Sequence, residues 1–418
     1  MDQPTTHPYT HRLHRAYARP SEARVQRHPS AHAHQPFRPL PAPTGLPPYH
    51  LSLANVLPAE QMQTITDVGR LVFHLVGDTG GIQTPVPQMN VVQQMERDEI
   101  SSPAQSRPAF FYHLGDVVYF YGEAQQYYPQ FYEPYSSYQV PIFAIPGNHD
   151  GDLSREMEAQ NVPSLAAFVT NFCASIPHHT PDALEEPRHA MTQPNVYWTL
   201  ETPLATILGL YTNVPEGGRL DDDQISWLEV ELQQAPADRA LLVAMHHPTY
   251  SYDDHHSGSP YLQQVLDKAM HQAKRMPDAV FSGHVHNYQR FTRQLNGRSL
   301  PYLVAGAGGY HNLHHVPRSL KDPPQPLPFA VPEQEGVRLE TFCDDHFGFL
   351  RLEVTAETLK GDYFTVSGFQ DPNAGQDATH FDAFTLDLKA GTVTTTLAQE
   401  HRKVNTTHQG SRLRHPRR

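Results

Sequence analysis

The sequence contains little cysteine and no long run of apolar residues. Its 418 residues include two cysteines, Cys173 and Cys343, without the close spacing of metal-binding cysteine motifs. At most one disulfide can form, so a scaffold held by several disulfides is excluded. No segment reaches the roughly 18 to 20 continuous apolar residues of a membrane-spanning helix, and the N-terminus lacks the apolar core of a secretory signal. These absences predict a cytoplasmic protein without a membrane partner.

Basic residues are scarce in the middle of the chain and concentrated at its ends. The sequence carries 31 Lys and Arg against 44 Asp and Glu, which gives a formal net charge of −13. Residues 1–50 carry +4 and residues 401–418 carry +6, so residues 51–400 carry −23. Because a nucleic-acid backbone is bound by clustered lysines and arginines, we expect no nucleic-acid partner for this acidic body.

The composition divides the chain into two tails and one body. Residues 1–65 are rich in His, Pro and Arg, and residues 391–418 are basic. Both segments lack the apolar residues that offset the entropy lost on ordering, so we predict disordered tails. The alternative is that these runs of like charge act as interaction arms for anionic surfaces. Residues 66–390 form the predicted folded domain.

Short apolar runs separated by Gly, Pro and polar loops predict buried strands in the body. Helical spacing of apolar residues predicts helices over residues 221–235 and 261–275. Apolar and polar residues alternate over 346–355, 357–366 and 381–388, a pattern typical of half-exposed antiparallel strands. Strands alternating with helices indicate an α/β layered fold. The predicted buried strands cover residues 71–76, 109–114, 141–145, 204–210, 240–245 and 279–281.

Five short motifs stand at the ends of predicted strands, where ligands gather in α/β sheets. Singly, an Asp after Gly commonly forms a turn, and a His-x-His pair can lie on one face of a strand. Together, their Asp, Asn and His side chains are the oxygen and imidazole ligands that bind first-row metal ions. In chain order the motifs are Gly77-Asp78-Thr79-Gly80, Gly115-Asp116-Val117-Val118-Tyr119, Gly147-Asn148-His149-Asp150, Val243-Ala244-Met245-His246 and Gly283-His284-Val285-His286.

The five motifs in this order resemble those of the calcineurin-like metallophosphoesterases, and most closely those of the purple acid phosphatases. The wider superfamily usually has Asp-x-His at the first motif, whereas Gly80 stands at the His position here. The purple acid phosphatases replace that histidine by a tyrosine from the second motif, and Tyr119 stands at that place. The resemblance continues through residues 283–290 and implies a four-layer α/β/β/α sandwich of two mixed β-sheets flanked by helices.

The resemblance implies a site for two metal ions, with iron at the first position and iron, zinc or manganese at the second. In a reducing cytoplasm ferric iron is harder to maintain, so manganese, zinc or ferrous iron are alternatives. The implied activity is hydrolysis of phosphate monoesters of small molecules by a metal-bound hydroxide. The implied ligands are Asp78, Tyr119 and His286 for the first ion, Asn148, His246 and His284 for the second, and Asp116 as the bridge between them.

Three further histidines match the positions that the family places over its substrate. His149 follows Asn148 in the third motif, and His255 and His256 lie in a polar segment after the fourth motif. A protonated imidazole there can contact phosphate oxygens and give a proton to the leaving group. The resemblance therefore implies His256 or His149 as the acid, and the alternative for His255 and His256 is an exposed polar loop.

Two other functions compete with a monoesterase. A phosphodiesterase acting on nucleotide or lipid-like diesters is the first, but such enzymes usually keep the histidine that Gly80 replaces. A non-catalytic metal-binding module is the second, and it is expected to have lost ligands, whereas all seven are retained here. The segment from Tyr119 to Tyr138 is also dense in aromatic residues, which indicates either core packing or a wall that stacks an aromatic leaving group.

Overall fold

The computed structural model describes residues 36–367 and 378–396, and in it two mixed β-sheets pack face to face between layers of helix. The strands in chain order are β1 (His50–Ser52), β2 (Leu71–Val76), β3 (Phe111–His113), β4 (Ile142–Ala144), β5 (Trp198–Glu201), β6 (Ala205–Gly209), β7 (Ala240–Met245), β8 (Ala279–Ser282), β9 (Tyr288–Leu295), β10 (Arg298–Ala305), β11 (Phe329–Ala330), β12 (Val337–Cys343), β13 (Phe347–Val354), β14 (Thr358–Val366), β15 (Thr379–Asp387) and β16 (Thr392–Thr395).

One sheet has nine strands in the order β1-β5-β6-β7-β8-β10-β9-β12-β11, and the other has seven in the order β16-β15-β14-β13-β2-β3-β4. The α-helices are α1 (Ala59–Val68), α2 (Val86–Ser101), α3 (Asn148–Gly151), α4 (Arg155–Ala159), α5 (Ala166–Phe172), α6 (Asp222–Gln234), α7 (Pro260–Ala273) and α8 (Arg318–Lys321).

The inner faces of the two sheets share one apolar core. Phe73 and Leu75 of β2 lie in this core with Leu242 of β7, and all three are at most 1% exposed. The outer faces are covered by helices: Val91 and Met95 of α2 are buried, as are Leu228 of α6 and Leu266 of α7. Because β2 is covered on both faces, its sequence is apolar at every position except His74. The predicted four-layer sandwich is confirmed.

Side-chain caps mark where the two helices predicted from the sequence begin. The side chain of Asp221 accepts a hydrogen bond from the backbone N–H of Gln224 and begins α6. The Ser259 hydroxyl accepts one from the N–H of Leu262 and begins α7, where Pro260 occupies the first helical position. These caps satisfy backbone donors that an α-helix leaves unpaired at its N-terminus.

Helices and strands extend beyond the predicted body at both of its ends. Strand β1 pairs in parallel with β5, and α1 follows it, so the predicted tail of residues 1–65 is wrong for its last part. At the other end β16 pairs with β15, past the predicted boundary at residue 390. A three-residue strand with one buried side chain, Leu51, carries too little periodicity to be found in a sequence. Residues 1–35 and 397–418 lie outside the described residues.

The two cysteines are free thiols in the fold. Cys173 and Cys343 are both buried, and neither forms a disulfide. None of the helices in the described ranges is long and apolar enough to cross a lipid bilayer.

A buried ion pair joins the two sheets. Arg290 of β9 donates two hydrogen bonds to Asp382 of β15, with distances of 2.7 Å and 2.9 Å between nitrogen and oxygen. The hydroxyl of Tyr288 donates to the same carboxylate at 2.8 Å. The Arg290 and Asp382 side chains are at most 1% exposed, so each depends on the other for its charge to be tolerated.

We expect Arg290→Ala to lower the free energy of unfolding by about 3–5 kcal/mol, because the variant leaves Asp382 as a buried charge without its partner. Urea unfolding followed by circular dichroism measures this change. Arg318→Ala is the matched control, since it removes an exposed ion pair with Asp322 and should leave the stability nearly unchanged. Equal stability of the two variants would show that the Arg290 pair does not hold the sheets together.

Candidate metal centre

The motif residues meet in a crevice where the carboxyl ends of strands from both sheets come together. Strands β2, β3 and β4 are parallel neighbours in one sheet, and β6, β7 and β8 are parallel neighbours in the other. Asp78 follows β2 and Asp116 follows β3, while Asn148 begins α3 directly after β4. His246 follows β7, and His284 follows β8.

Three of these residues turn the chain through left-handed backbone conformations. The φ angles are +58° at Asp78, +54° at Asp116 and +66° at His284. Side chains larger than glycine adopt such angles rarely, and the conformation costs of the order of 1–3 kcal/mol per residue. The sharp turns direct the side chains into the crevice instead of along the sheet faces.

Two motif glycines leave room for the carboxylates. A Cβ atom at Gly147 would stand 2.1 Å from Oδ1 of Asp116, and one at Gly283 would stand 2.5 Å from Oδ2 of Asp78. Real Cβ atoms do not approach oxygen so closely, so a side chain at either position forces the carboxylate away.

Asp78, Tyr119 and His286 form the first group of donor atoms. The Tyr119 hydroxyl lies 3.4 Å from Oδ1 of Asp78 and 3.3 Å from Nε2 of His286. The third side of this triangle, between His286 Nε2 and Asp78 Oδ1, is 3.5 Å. A phenol oxygen, a carboxylate oxygen and an imidazole nitrogen thus face one point.

Asn148, His246 and His284 form the second group. The Asn148 side-chain oxygen lies 2.9 Å from Nδ1 of His284 and 3.1 Å from Nε2 of His246. Asp116 lies between the two groups: its Oδ2 is 3.3 Å from Nε2 of His246. Ligand atoms of Asp78, Asp116 and His246 all lie within 4.8 Å of one another.

Hydrogen bonds fix which ring nitrogen each histidine turns toward the crevice. Nδ1 of His246 donates to the carbonyl of Leu114 at 2.8 Å, and Nδ1 of His286 donates to the carbonyl of Asn312 at 2.8 Å. A carbonyl only accepts, so Nε2 of each ring is the nitrogen left with a free lone pair for a metal. His284 is reversed, because its Nδ1 faces the oxygen of Asn148.

The charges of the crevice favour a bound cation. Asp78 and Asp116 are at most 1% exposed, and their ion pairs among the described residues are all with histidines. Burial raises the pKa of Asp116, but the charge and hydrogen bond of His246 lower it further, below its usual range. Burial lowers the pKa of His246, and the two carboxylates raise it more, to about 9. A bound metal ion would supply this positive charge in place of the His246 proton, and the donor set of hard oxygen and imidazole ligands fits one.

A sequence profile of calcineurin-like phosphoesterases matches residues 71–288, which is more than half of the chain and contains all seven predicted ligands. The chain belongs to the calcineurin-like phosphoesterase family. The prediction of a metal-dependent phosphoesterase is thereby confirmed at the level of the family.

Within that family, the chain is similar to purple acid phosphatases. Purple acid phosphatase 22 of Arabidopsis thaliana is 30% identical over 171 residues, which cover 38% of this chain and 34% of the relative. Fe(3+)-Zn(2+) purple acid phosphatase 12 of the same plant is 26% identical over 265 residues, covering 59% and 49%. The chain therefore spans between a third and a half of the length of these relatives. The predicted resemblance to purple acid phosphatases is confirmed.

A solved structure shows the same fold. Purple acid phosphatase PPD1 from yellow lupin (Lupinus luteus) seeds superposes with a TM-score of 0.53 at 18% sequence identity, covering 79% of this chain and 57% of that chain.

Gly80 stands where the wider superfamily has a histidine, and Tyr119 leaves no room for a side chain there. A Cβ atom at Gly80 would stand 2.8 Å from Cδ2 of the Tyr119 ring and 2.4 Å from Oε1 of Gln130. Gln130 in turn accepts from the backbone N–H of Tyr119 and donates to its carbonyl, both at 3.0 Å. The Tyr119 ring therefore occupies the space that a side chain at residue 80 requires.

The three predicted catalytic histidines differ in their surroundings. Nδ1 of His149 donates to the carbonyl of Phe120 at 2.9 Å, and the His149 ring packs against Tyr119 with centroids 4.6 Å apart. His256 lies beside the metal centre, with its ring centroid 4.3 Å from that of His284. His255 is exposed and stacks on His314 at 4.9 Å, so the exposed-loop interpretation describes His255 better than His256.

Several residues at the site were missed in the sequence. Tyr310 stacks on Tyr119 with centroids 4.1 Å apart, and its backbone N–H donates to the Asp78 carbonyl. Asp150 accepts hydrogen bonds from the backbone of Gly147 and Val117, which ties the second and third motifs together. Burial and the Asp116 charge raise the pKa of Asp150 to about 7. Glu216 is the third residue at the site that was missed in the sequence. Asp150 is the last residue of the third motif but was given no role, whereas Tyr310 and Glu216 stand in segments without any pattern.

The aromatic segment after Tyr119 is mostly core. Five of its rings are buried in one apolar cluster with Phe168 and Phe172, and these are Tyr127, Phe131, Tyr132, Tyr135 and Tyr138. Core packing is therefore confirmed for this part of the segment. Phe120 is only half-buried and packs edge-on to Tyr310 beside the metal centre.

We expect Gly147→Ala to reduce bound metal to less than a tenth, because the new Cβ atom displaces the Asp116 carboxylate. Elemental analysis of the purified variant measures this loss. Gly69→Ala is the control, because no atom lies within 4 Å of its added Cβ and only its φ of +66° disfavours the alanine. That control should lose about 1 kcal/mol of stability and keep its metal. Full metal content in Gly147→Ala would contradict the assigned position of Asp116.

Proposed function

We propose that the chain is a dinuclear metal-dependent hydrolase of phosphate monoesters. Its family and its purple acid phosphatase relatives support phosphoester hydrolysis, and the two groups of donor atoms support two ions. The monoester preference is supported by Gly80, which stands where diesterases of the wider family usually keep a histidine. A small phosphorylated substrate, the absence of a nucleic-acid partner and a cytoplasmic location stay predictions.

The position of Asp116 is the observation that carries this proposal. Its carboxylate lies within 4.8 Å of ligand atoms of both Asp78, in the first group, and His246, in the second. One carboxylate has two oxygens and can bind two ions at once, which allows seven residues to serve a pair. The backbone N–H of His149 donates to Oδ1 of Asp116 at 2.8 Å and holds it in this position.

The ions, when bound, supply Lewis acidity: they activate water as the nucleophile and neutralise the charge that develops on phosphate. The side chains of the crevice would hold and orient those ions, and the histidines around it would give a proton to the leaving group. His149 keeps Nδ1 on the Phe120 carbonyl, so its Nε2 is the nitrogen that can bind a phosphate oxygen or carry a proton. His256 is the second candidate for protonating the leaving alkoxide.

For the first ion we propose iron, with iron, zinc or manganese as the second. Tyr119 supports iron, because a phenolate is a hard anionic ligand that suits a trivalent ion. Burial, followed by the charges of Asp116 and Asp78, raises the pKa of Tyr119 well above its usual value. An ion of high charge is therefore needed to bind this side chain as phenolate. The relative named as an Fe(3+)-Zn(2+) enzyme also supports this choice.

We expect purified protein to contain two metal ions per chain and to hydrolyse 4-nitrophenyl phosphate at least tenfold faster than bis(4-nitrophenyl) phosphate. Asp116→Ala should abolish turnover and also remove most of the metal, because a shared ligand takes charge from both positions at once. Elemental analysis and steady-state kinetics measure the two effects.

Asp222→Ala serves as the control, since Asp222 is an exposed acid at the start of α6. It should keep both metals and the wild-type rate. A faster rate on the diester would favour the phosphodiesterase alternative. Metal without turnover of either ester would favour the non-catalytic module.

The choice of iron is tested by colour. A phenolate bound to ferric iron absorbs visible light by charge transfer, so the oxidised, iron-loaded protein should be coloured and Tyr119→Phe should bleach it. The variant should keep part of its activity, because Asp78, Asp116 and His286 still surround the first position. Tyr121→Phe is the control and should keep the colour, since Tyr121 is half-exposed in the same loop. Persistent colour in Tyr119→Phe would show that another group binds the iron.

A further inference from the structure

Glu216 is an acidic residue beside the metal centre that none of the five motifs includes. It lies between β6 and α6 in the tight turn Pro215–Gly218, which is closed by a 2.8 Å hydrogen bond from the Gly218 N–H to the Pro215 carbonyl. Gly217 and Gly218 have φ angles of +77° and +76°, which glycine adopts without strain. The turn carries the Glu216 side chain toward the histidines of the site.

One carboxylate oxygen of Glu216 meets two histidines. Nδ1 of His256 lies 3.0 Å from Oε1 and donates a hydrogen bond to it. Nε2 of His284 lies 3.5 Å from the same oxygen, at the long end of the hydrogen-bonding range. The shorter contact, to His256, is therefore the stronger one.

The charge of Glu216 excludes a direct role in binding phosphate. Phosphate and carboxylate repel each other, and the Glu216 side chain is only 37% exposed, so water screens this repulsion incompletely. A carboxylate on Nδ1 of an imidazole instead fixes the ring orientation and the tautomer, and leaves Nε2 on the opposite edge of the ring as the position for a transferable proton.

The backbone of His256 is held independently of Glu216. Oδ1 of Asp253 accepts hydrogen bonds from the N–H groups of His255 and His256, at 2.7 Å and 2.8 Å. Loss of the Glu216 carboxylate therefore removes the hydrogen bond to Nδ1 of His256, while the Asp253 bonds to the loop backbone remain. This separation makes Glu216 testable without loss of the fold.

We propose that Glu216 is a positioning residue that orients the His256 imidazole for proton donation to the leaving group. The inference rests on the proposed phosphomonoesterase function and adds a carboxylate–histidine pair to it. His256 is the group that touches the substrate, and Glu216 acts through it. Because a proton is needed only when the leaving oxygen is strongly basic, the effect of Glu216 depends on the leaving group.

The experiment compares two substrates in metal-replete protein. Glu216→Ala should lower kcat at least tenfold for glycerol phosphate, whose alkoxide leaves poorly without a proton. It should change kcat less than threefold for 4-nitrophenyl phosphate, whose phenolate leaves unaided. Glu216→Gln should recover part of the loss, since its amide oxygen still accepts from Nδ1 of His256. Asp223→Asn, which removes an exposed charge in α6, should match wild type on both substrates.

Further measurements separate this role from its alternatives. In a His256→Ala background, Glu216→Ala should have no added effect, because the two residues act as one unit. Metal content should stay at the wild-type value. Loss of metal in Glu216→Ala would assign Glu216 to the His284 ligand and overturn the inference, as would equal loss of kcat on both substrates. Wild-type protein that hydrolyses neither phosphate would overturn the proposed function and this inference with it.

Discussion

The burial of two carboxylates, Asp78 and Asp116, where the two sheets meet is the constraint on which the rest of the site depends. An uncompensated buried carboxylate costs more than a domain of ordinary stability can supply. Among the described residues the counter-charge comes from histidines, which are cations only while protonated. The crevice is therefore arranged for a cation that stays charged at every pH, and a metal ion meets that requirement.

The strained turns of the site persist because several loops hold them at once. Asp78 donates its backbone N–H to the Gly115 carbonyl and accepts from the N–H of Tyr310. Its Oδ2 also accepts from the N–H of His284 at 2.8 Å, which links the first motif to the last. A left-handed Asp is tolerated where the surrounding structure over-determines it, and these bonds join loops from both sheets. The backbone thus holds the donor atoms in one arrangement, which favours tight and selective metal binding.

The sequence predicted those elements whose local pattern and tertiary burial agree. Strand β2 was predicted with its observed bounds because all six of its residues are buried and all except His74 are apolar. Helix α2 was missed because its buried face includes Gln88 and Gln94, which dilute the apolar stripe. The motifs of the predicted ligands were recognised because they follow predicted strands and resemble those of a known family, whereas Glu216 reaches the site from a turn and has no local pattern that marks it.

The last motif shows why a resemblance in sequence can extend past the ligands themselves. His284 and His286 precede β9, whose first residue, Tyr288, stacks on Tyr363 of the other sheet with centroids 3.8 Å apart. Two residues later, Arg290 forms its ion pair with Asp382 across the same interface between the sheets. A strand anchored at both points cannot slide or rotate without exposing a buried charge, so the imidazoles before it are held in register. Arg290 therefore serves the site from inside the core, through the position of a strand instead of through contact with the metal centre.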